Sequence, residues 1–179
     1  MEHLTEVNSL SDIPEEIADS PVGKLLRYHN LQMPFDSYTK AQLLIGMCMD
    51  NRKSLRIPPN FAYILRTGGA NLRYNEFHVS YAIAMGGIRH IVLMAHNNCG
   101  MVNLTPKKRH FIEGLVSNGG WDRSSAEEHF NQHAPKCDIG HEIDFVLGEV
   151  KRLQSGYPAV VVIPLYYHLG DNRLYLISG

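Results

Sequence analysis

The sequence predicts an α/β protein whose central, mostly parallel β-sheet is flanked by helices and closes with a C-terminal edge hairpin. Through the middle of the chain, short apolar runs alternate with segments of helical periodicity, a pattern typical of strands joined by helical crossovers. The runs are apolar throughout rather than at every second residue. We therefore expect strands that are buried on both faces of the sheet.

The strands are predicted from apolar composition and from the turn residues that follow them. Three runs predict neighbouring parallel strands, at residues 41–47, 61–66 and 88–95. Residues 159–165 are rich in β-branched side chains, and a Gly-Asp-Asn turn separates them from a second apolar run at residues 174–177. These last two runs predict the antiparallel hairpin at the edge of the sheet.

The helices are predicted from apolar residues at helical spacing and from capping residues. The expected helical segments are residues 21–30, 74–85, 121–133 and 138–153. A further helix is expected to begin near Cys99, and Asp138 is expected to cap the last helix.

The chain has 179 residues, enough for one domain with a full hydrophobic core, and we expect residues 1–179 to form it. Residues 1–20 are polar and acidic, and contain too few apolar side chains to fold alone. We therefore expect residues 1–30 to form an N-terminal arm that packs on the body of the protein or on a partner subunit.

Composition excludes several classes of partner. The net charge is −1 with histidine neutral, which gives no electrostatic reason to bind nucleic acid or anionic membranes. No run of about 18 apolar residues predicts a membrane span, and the N-terminus does not resemble a signal peptide. The three cysteines, Cys48, Cys99 and Cys137, are widely spaced and predict reduced thiols in a cytoplasmic protein.

Two short clusters carry the chemistry. Cys48, Asp50 and Arg52 follow the first predicted strand, and His96 and Cys99 follow the third. Because ligands of open α/β sheets gather at the carboxyl ends of the strands, the two clusters are expected to converge. Two thiolates and one imidazole are ligands that Zn²⁺ prefers, and they leave one tetrahedral position open.

The acid and the cation in the first cluster predict a catalytic rather than a structural zinc. Asp50 can accept the proton of a zinc-bound hydroxide, and Arg52 can hold Asp50 ionised through a charge-assisted hydrogen bond. Alternatively, Asp50 binds the metal itself and fills the open position. The sequence leaves both states of Asp50 open.

On these residues the chain resembles the β-class carbonic anhydrases. The C-x-D-x-R motif of that family is matched by Cys48, Asp50 and Arg52, and its H-x-x-C-G motif by His96, Cys99 and Gly100. The similarity is strong over residues 41–101 and looser elsewhere. The chain departs from the family pattern at three positions, where it carries Thr67, Ala95 and Asn98.

The resemblance implies a zinc lyase, a carbonate dehydratase, that hydrates carbon dioxide reversibly to bicarbonate. It implies Zn²⁺ held by Cys48, His96 and Cys99, and a homodimer or a larger assembly of dimers. The motif glycines Gly68, Gly69 and Gly100 are assigned to substrate binding. Two alternatives stay open: a hydrolase of carbonyl sulfide or carbon disulfide on the same scaffold, and a non-catalytic zinc protein in which Asp50 caps the metal.

A second set of metal-binding residue types recurs at four-residue spacing in His129, His133, Cys137 and His141. On one helix these residues could chelate a second metal ion. Pro135 is expected to interrupt that helix, and surface histidines on two helices are the alternative. His168 is interpreted as a residue of the C-terminal hairpin.

Overall fold

The computed structural model describes residues 4–178, and their strands form one six-stranded sheet. Its strands are β1 (Leu4–Thr5), β2 (Leu43–Cys48), β3 (Ala62–Thr67), β4 (His90–His96), β5 (Val161–His168) and β6 (Arg173–Ile177). They lie in the order β1-β6-β5-β4-β2-β3. The strands β2 to β5 are parallel, whereas β6 is antiparallel to β5 and β1 is antiparallel to β6. The predicted fold class is confirmed, with β1 as a short addition outside the hairpin.

The α-helices are α1 (Glu15–Ala18), α2 (Pro21–His29), α3 (Glu76–Ala84), α4 (Lys108–Gly119), α5 (Arg123–Cys137) and α6 (Glu142–Gly156). Ser20 caps α2, because its hydroxyl accepts hydrogen bonds from the backbone N–H groups of Val22 and Gly23. None of the described helices has both the length and the apolar character that a bilayer crossing requires.

Strand β2 explains why the sequence shows continuous apolar runs. All six of its residues are buried, and successive side chains enter different cores because a strand alternates its faces. Leu43, Ile45 and Met47 pack in a core that includes α2, while Leu44 packs in a second core with residues of α3 and α6. Both faces of the sheet are thus covered.

The register of the sheet determines where the two sequence clusters lie. Strand β2 lies between β3 and β4, with Met47 opposite Met94 and Cys48 opposite Thr67. Cys48 and His96 are the last residues of β2 and β4. Because β2 and β4 are adjacent and parallel, these two residues lie at the same edge of the sheet.

The described part of the N-terminal segment packs against its own chain. Val22, Leu25 and Leu26 of α2 are fully buried in the same core as Leu43, Ile45 and Met47. The side chain of Asn30 is hydrogen-bonded to both backbone groups of Leu174: its amide donates to the carbonyl oxygen at 2.7 Å and its own oxygen accepts from the N–H at 3.0 Å. This pairing fixes the end of α2 beside β6.

Two expectations about helices were wrong. The chain forms turns after Cys99 rather than a helix, and Asn103 within this segment adopts a left-handed backbone angle that a helix does not accept. Asp138 does not cap α6, which begins after His141. Its carboxylate instead accepts the backbone N–H groups of Asn103 at 3.1 Å and Leu104 at 2.6 Å, and so holds the loop that follows Cys99.

His29 is a buried histidine held in its neutral form. Its Nε2–H donates to the carbonyl oxygen of Asn172 at 2.9 Å, and its Nδ1 accepts the backbone N–H of Arg56 at 3.0 Å. Burial lowers the pKa of His29, and the nearby charges of Arg173 and Arg56 lower it further. Protonation would place a second donor against the Arg56 N–H and break that hydrogen bond.

The protein is therefore expected to lose stability as the pH falls below about 6.5, the pKa of an unfolded histidine. In that range His29 is protonated in the unfolded chain but neutral in the folded one. The free energy of unfolding therefore falls by up to about 1.4 kcal/mol per pH unit until the pKa of folded His29 is reached. Urea titrations of the parent protein and of His29→Gln between pH 5 and 7.5 measure this slope. The exposed His110→Gln is the control, and parallel curves for the parent and His29→Gln would contradict the assignment.

Candidate metal centre

Cys48 ends β2 and is held by the turn that follows the neighbouring strand. Its side chain is buried, and its Sγ accepts a hydrogen bond from the backbone N–H of Gly69 at 3.4 Å. Gly69 has a positive φ of 63°, and a Cβ at that position would lie 2.7 Å from a methyl carbon of Ile139. Conformation and space therefore both require glycine here.

His96 ends β4 with only 1% of its surface exposed. Its Nδ1 lies 2.9 Å from the carbonyl oxygen of Asn97, and because a carbonyl only accepts, Nδ1 carries the proton. The Nε2 atom is buried and has no hydrogen-bond partner among the described residues. A histidine that binds a metal through one ring nitrogen typically donates a hydrogen bond from the other, which fixes the direction of the free lone pair.

The turn after β4 brings Cys99 close to Cys48 and His96. Asn98, with a φ of 54°, makes the left-handed step in this turn. The Sγ atoms of Cys99 and Cys48 are 3.8 Å apart, far longer than the 2.05 Å or so of a disulfide. Ligand atoms of Cys48, His96 and Cys99 all lie within 4.8 Å of one another, and this is the one group of three potential metal ligands found in residues 4–178.

The spacing of the sulfurs fits a tetrahedral zinc site. Two sulfurs bound at about 2.3 Å with a tetrahedral angle between them lie about 3.8 Å apart, which is the separation of Cys48 and Cys99. Together with the unpartnered Nε2 of His96, the donor set is the one expected from the sequence. The cluster thus fits a metal site with one coordination position left to an outside ligand.

The two buried thiols lie in hydrogen-bond contact, and their pKa values shift in opposite directions. The hydrogen bond between the two sulfurs lowers the pKa of Cys48, and the backbone N–H groups of Asp50 and Gly69 lower it further. The same hydrogen bond raises the pKa of Cys99, and burial raises it further. A divalent cation would stabilise both thiolates at once, so that neither cysteine would raise the pKa of the other.

Asp50 and Arg52 form a bidentate ion pair next to the cluster. The Nε of Arg52 donates to both carboxylate oxygens, at 3.0 and 3.1 Å, and its Nη2 donates to Oδ2. This hydrogen bonding holds the pKa of Asp50 far below its usual range. The same Nη2 donates to the carbonyl oxygen of Asn98 at 2.9 Å, so Arg52 ties the two clusters together.

In this geometry the carboxylate of Asp50 is engaged by Arg52. Asp50 is not a member of the group formed by Cys48, His96 and Cys99 in the described chain. Of the two states that the sequence allows, the ion pair with Arg52 is the one in this geometry, and metal binding by Asp50 stays a prediction.

Three further residues around the centre were missed by the sequence analysis. Lys53 is buried, and its Nζ donates to the carbonyl oxygen of Asp50 at 3.3 Å. Arg66 donates to the same oxygen at 3.3 Å and to the carbonyl oxygen of Cys48 at 3.4 Å. Glu142 accepts the backbone N–H of Cys99 at 3.4 Å. A cation directly after Arg52 was the one available signal, and it does not reveal burial.

Burial lowers the pKa of the Lys53 ammonium, and the negative charges of Cys48, Asp50 and Cys99 oppose this effect. The two influences show that Lys53 lies within the electrostatic field of the cluster.

The other predicted site glycines differ in their surroundings. A Cβ on Gly68 would lie 3.1 Å from the sulfur of Met101, so the turn is packed closely beneath that side chain. A Cβ on Gly100 would meet nothing within 4 Å. Substrate binding by Gly68, Gly69 and Gly100 stays a prediction.

The second set of potential ligands lies along α5 and beyond its end. Helix α5 continues through Pro135 to Cys137, so the expected interruption was wrong: the proline lies in the last turn, where few helical bonds depend on it. The rings of His129 and His133 are 4.5 Å apart between centroids. Cys137 lies eight residues beyond His129, a rise of about 12 Å, which is too far for both to bind one ion with His133.

No protein-family model matches the sequence, and no curated protein is significantly similar to it. Solved structures do match. A β-carbonic anhydrase from Trichomonas vaginalis aligns with a TM-score of 0.64 and 16% identity over 93% of this chain and 100% of that one. A carbonic anhydrase from Streptococcus mutans aligns with a TM-score of 0.60 and 17% identity over the same shares.

A carbon disulfide hydrolase also aligns, with a TM-score of 0.55 and 18% identity over 90% of each chain. The chain therefore has a β-carbonic anhydrase family fold, which carbonic anhydrases and a carbon disulfide hydrolase share.

Proposed function

We propose that the protein is a zinc-dependent enzyme that hydrates carbon dioxide reversibly to bicarbonate. The observation that carries the proposal is the convergence of Cys48, His96 and Cys99 beside an ion pair of Asp50 and Arg52. Similarity in fold to carbonic anhydrases from two organisms supports it.

Each residue of the centre has a separate task in this proposal. Cys48, His96 and Cys99 would hold Zn²⁺, which when bound supplies a Lewis acid that makes water nucleophilic at neutral pH. Asp50 accepts a hydrogen bond from the attacking water and orients it toward the carbon of the substrate. Arg52 keeps Asp50 ionised and directed away from the metal position, so that position stays open to water.

Burial supports the same chemistry. Cys48, His96 and Cys99 are at most 5% exposed, so bulk water does not weaken the electrostatic interactions among them. Carbon dioxide is small, linear and apolar, and needs no charged group to enter. We also propose that Gly68, Gly69 and Gly100 border its binding position.

A hydrolase of carbonyl sulfide or carbon disulfide is the second candidate, because a carbon disulfide hydrolase shares the fold. These linear substrates would meet the same activated water. One zinc-loaded preparation, assayed by stopped flow for carbon dioxide hydration and by sulfide release for the other two substrates, separates the candidates. We expect hydration to be the fastest reaction. Absence of turnover with all three substrates would favour the third alternative, a non-catalytic zinc protein.

We further propose that residues 1–179 form one domain that assembles as a homodimer or a larger assembly of dimers. Strand β3 lies at one edge of the sheet, and its Tyr63 and Ile64 are more than 40% exposed. On α3, Phe77, Tyr81 and Met85 form an exposed stripe at four-residue spacing, with Phe77 76% exposed. An apolar surface of this kind is typical of an interface.

The two elements form one continuous face, since Tyr63 of β3 lies against Gly86 at the end of α3. A two-fold axis through this face would place the same patch on both subunits and cover the edge strand. Strand β1 lies at the opposite edge of the sheet from β3 and α2 packs in the core of its own chain, so the N-terminal arm is proposed to pack on the body of the protein. A cytoplasmic location is proposed from the three cysteines, each of which is a free thiol.

Phe77→Glu is expected to dissociate the dimer, because it places two uncompensated charges in one apolar interface. The expected loss is at least about 2 kcal/mol, or roughly 30-fold in the dimer dissociation constant. Sedimentation velocity over a range of concentrations measures it. Phe111→Glu, on the exposed surface of α4, is the matched control. A parent protein that sediments at the mass of one chain at every concentration would contradict the proposal.

A further inference from the structure

Lys53 is a lysine that the proposed chemistry does not use, yet it is buried at the centre. Only 3% of its surface is exposed, and its Nζ has one hydrogen-bond acceptor within residues 4–178, the carbonyl oxygen of Asp50. No carboxylate of the described chain forms an ion pair with it. A buried ammonium without a paired carboxylate is costly, so its charge requires an explanation.

The balance of charges around the centre explains why Lys53 is charged there. With Zn²⁺ bound, two thiolates cancel the charge of the metal, and Asp50 cancels Arg52. The half-buried Glu142 beside Cys99 and the exposed Arg66 beside Cys48 also cancel each other. Lys53 is then the uncompensated charge, and the centre as a whole carries +1. Without Lys53 it would be neutral.

We propose that Lys53 makes the open position of this centre a binding site for small anions, bicarbonate among them. Because Lys53 is buried and its Nζ is hydrogen-bonded to the carbonyl oxygen of Asp50, it acts through its electric field and is a positioning residue rather than a catalytic one. Its charge is weakly screened, unlike that of the exposed Arg66. The inference deepens the proposed function, on which it rests: it places bicarbonate, the anionic product of that reaction, in the electric field of Lys53.

The inference is tested by anion binding to the protein substituted with Co²⁺, whose visible absorption reports the ligand in the open position. Thiocyanate is the anionic probe, and imidazole at pH 8 is the neutral one. Lys53→Met removes the charge with little change in length, and Lys53→Gln removes it but keeps a donor for the Asp50 carbonyl. Lys53→Arg keeps the charge. The exposed Lys40→Met is the matched surface control.

Lys53→Met and Lys53→Gln are expected to bind thiocyanate at least about tenfold more weakly than the parent, the effect of losing one charge within about 12 Å of the anion at an effective dielectric constant of about 20. Imidazole binding should stay within twofold, and Lys53→Arg should bind thiocyanate like the parent. If Lys53→Met does not fold, Lys53→Gln gives the same comparison. Unchanged thiocyanate affinity in the neutral variants would overturn the inference, as would an equal loss of imidazole affinity.

These outcomes are separable from the fate of the proposed function. A parent protein that binds Co²⁺ and shows the Lys53 effect but hydrates no carbon dioxide would remove the proposed function and leave the anion site. A parent that hydrates carbon dioxide with no Lys53 effect would remove only the anion site. A parent that binds no Co²⁺ would overturn both.

Discussion

Replacing Cys48 with alanine is expected to remove zinc from the protein and to abolish carbon dioxide hydration. Loss of one thiolate leaves two ligands and a site with excess positive charge. The affinity for zinc should fall by more than about a hundredfold, since even the loss of a group that is hydrogen-bonded to a metal ligand costs about 10- to 100-fold. Zinc per chain, measured by elemental analysis after dialysis against a weak chelator, should fall from one to near zero.

The matched control is Cys137→Ala. Cys137 is a free thiol at the end of α5 and is not part of the cluster formed by Cys48, His96 and Cys99. Cys137→Ala should keep one zinc per chain and full activity. Equal zinc loss in both variants would show that metal content follows the overall stability of the fold. Retention of zinc by Cys48→Ala would remove Cys48 from the ligand set.

Replacing Asp50 with asparagine is expected to keep the zinc and lose most of the activity. In the structure the carboxylate is paired with Arg52 and is not one of the three converging ligands, so the metal site itself is unchanged. Asparagine has one acceptor oxygen in place of two, and it cannot take up a proton. The expected loss in kcat/KM is about 10²- to 10⁴-fold, the usual contribution of a positioned acid–base group.

Asp122→Asn serves as the control, because it makes the same chemical change at the exposed cap of α5, where asparagine caps equally well. Its activity should equal that of the parent. Two results would count against the role of Asp50: zinc loss in Asp50→Asn, which would make Asp50 a ligand, or hydration within threefold of the parent.

The strands and the meeting of the two clusters could be predicted from the sequence because both depend on local apolar patterns. Strands β2 and β4 are buried on both faces, so their apolar runs stand out from the surrounding polar residues. Once adjacent parallel strands are assumed, Cys48 and His96 must end at one edge of the sheet. The ion pair of Asp50 and Arg52 could be predicted equally well, because the two residues are close in sequence.

Other features depend on contacts between distant segments, which a local pattern does not contain. Asp138 has the chemistry of a helix cap but is taken by the loop at Asn103 and Leu104, 35 and 34 residues away in sequence. The turns after Cys99 contain the left-handed Asn103, which a helix prediction overlooks. The burial of Lys53 likewise arises only when the strands assemble.

X-ray absorption at the zinc edge of the parent protein tests the central claim most directly, because it counts the ligand atoms around the metal. The account predicts one zinc per chain with two sulfurs at about 2.3 Å and nitrogen or oxygen ligands at about 2.0–2.1 Å. A zinc-loaded protein whose metal is surrounded by nitrogen and oxygen alone would contradict it. So would a protein that binds no zinc with Cys48 and Cys99 reduced.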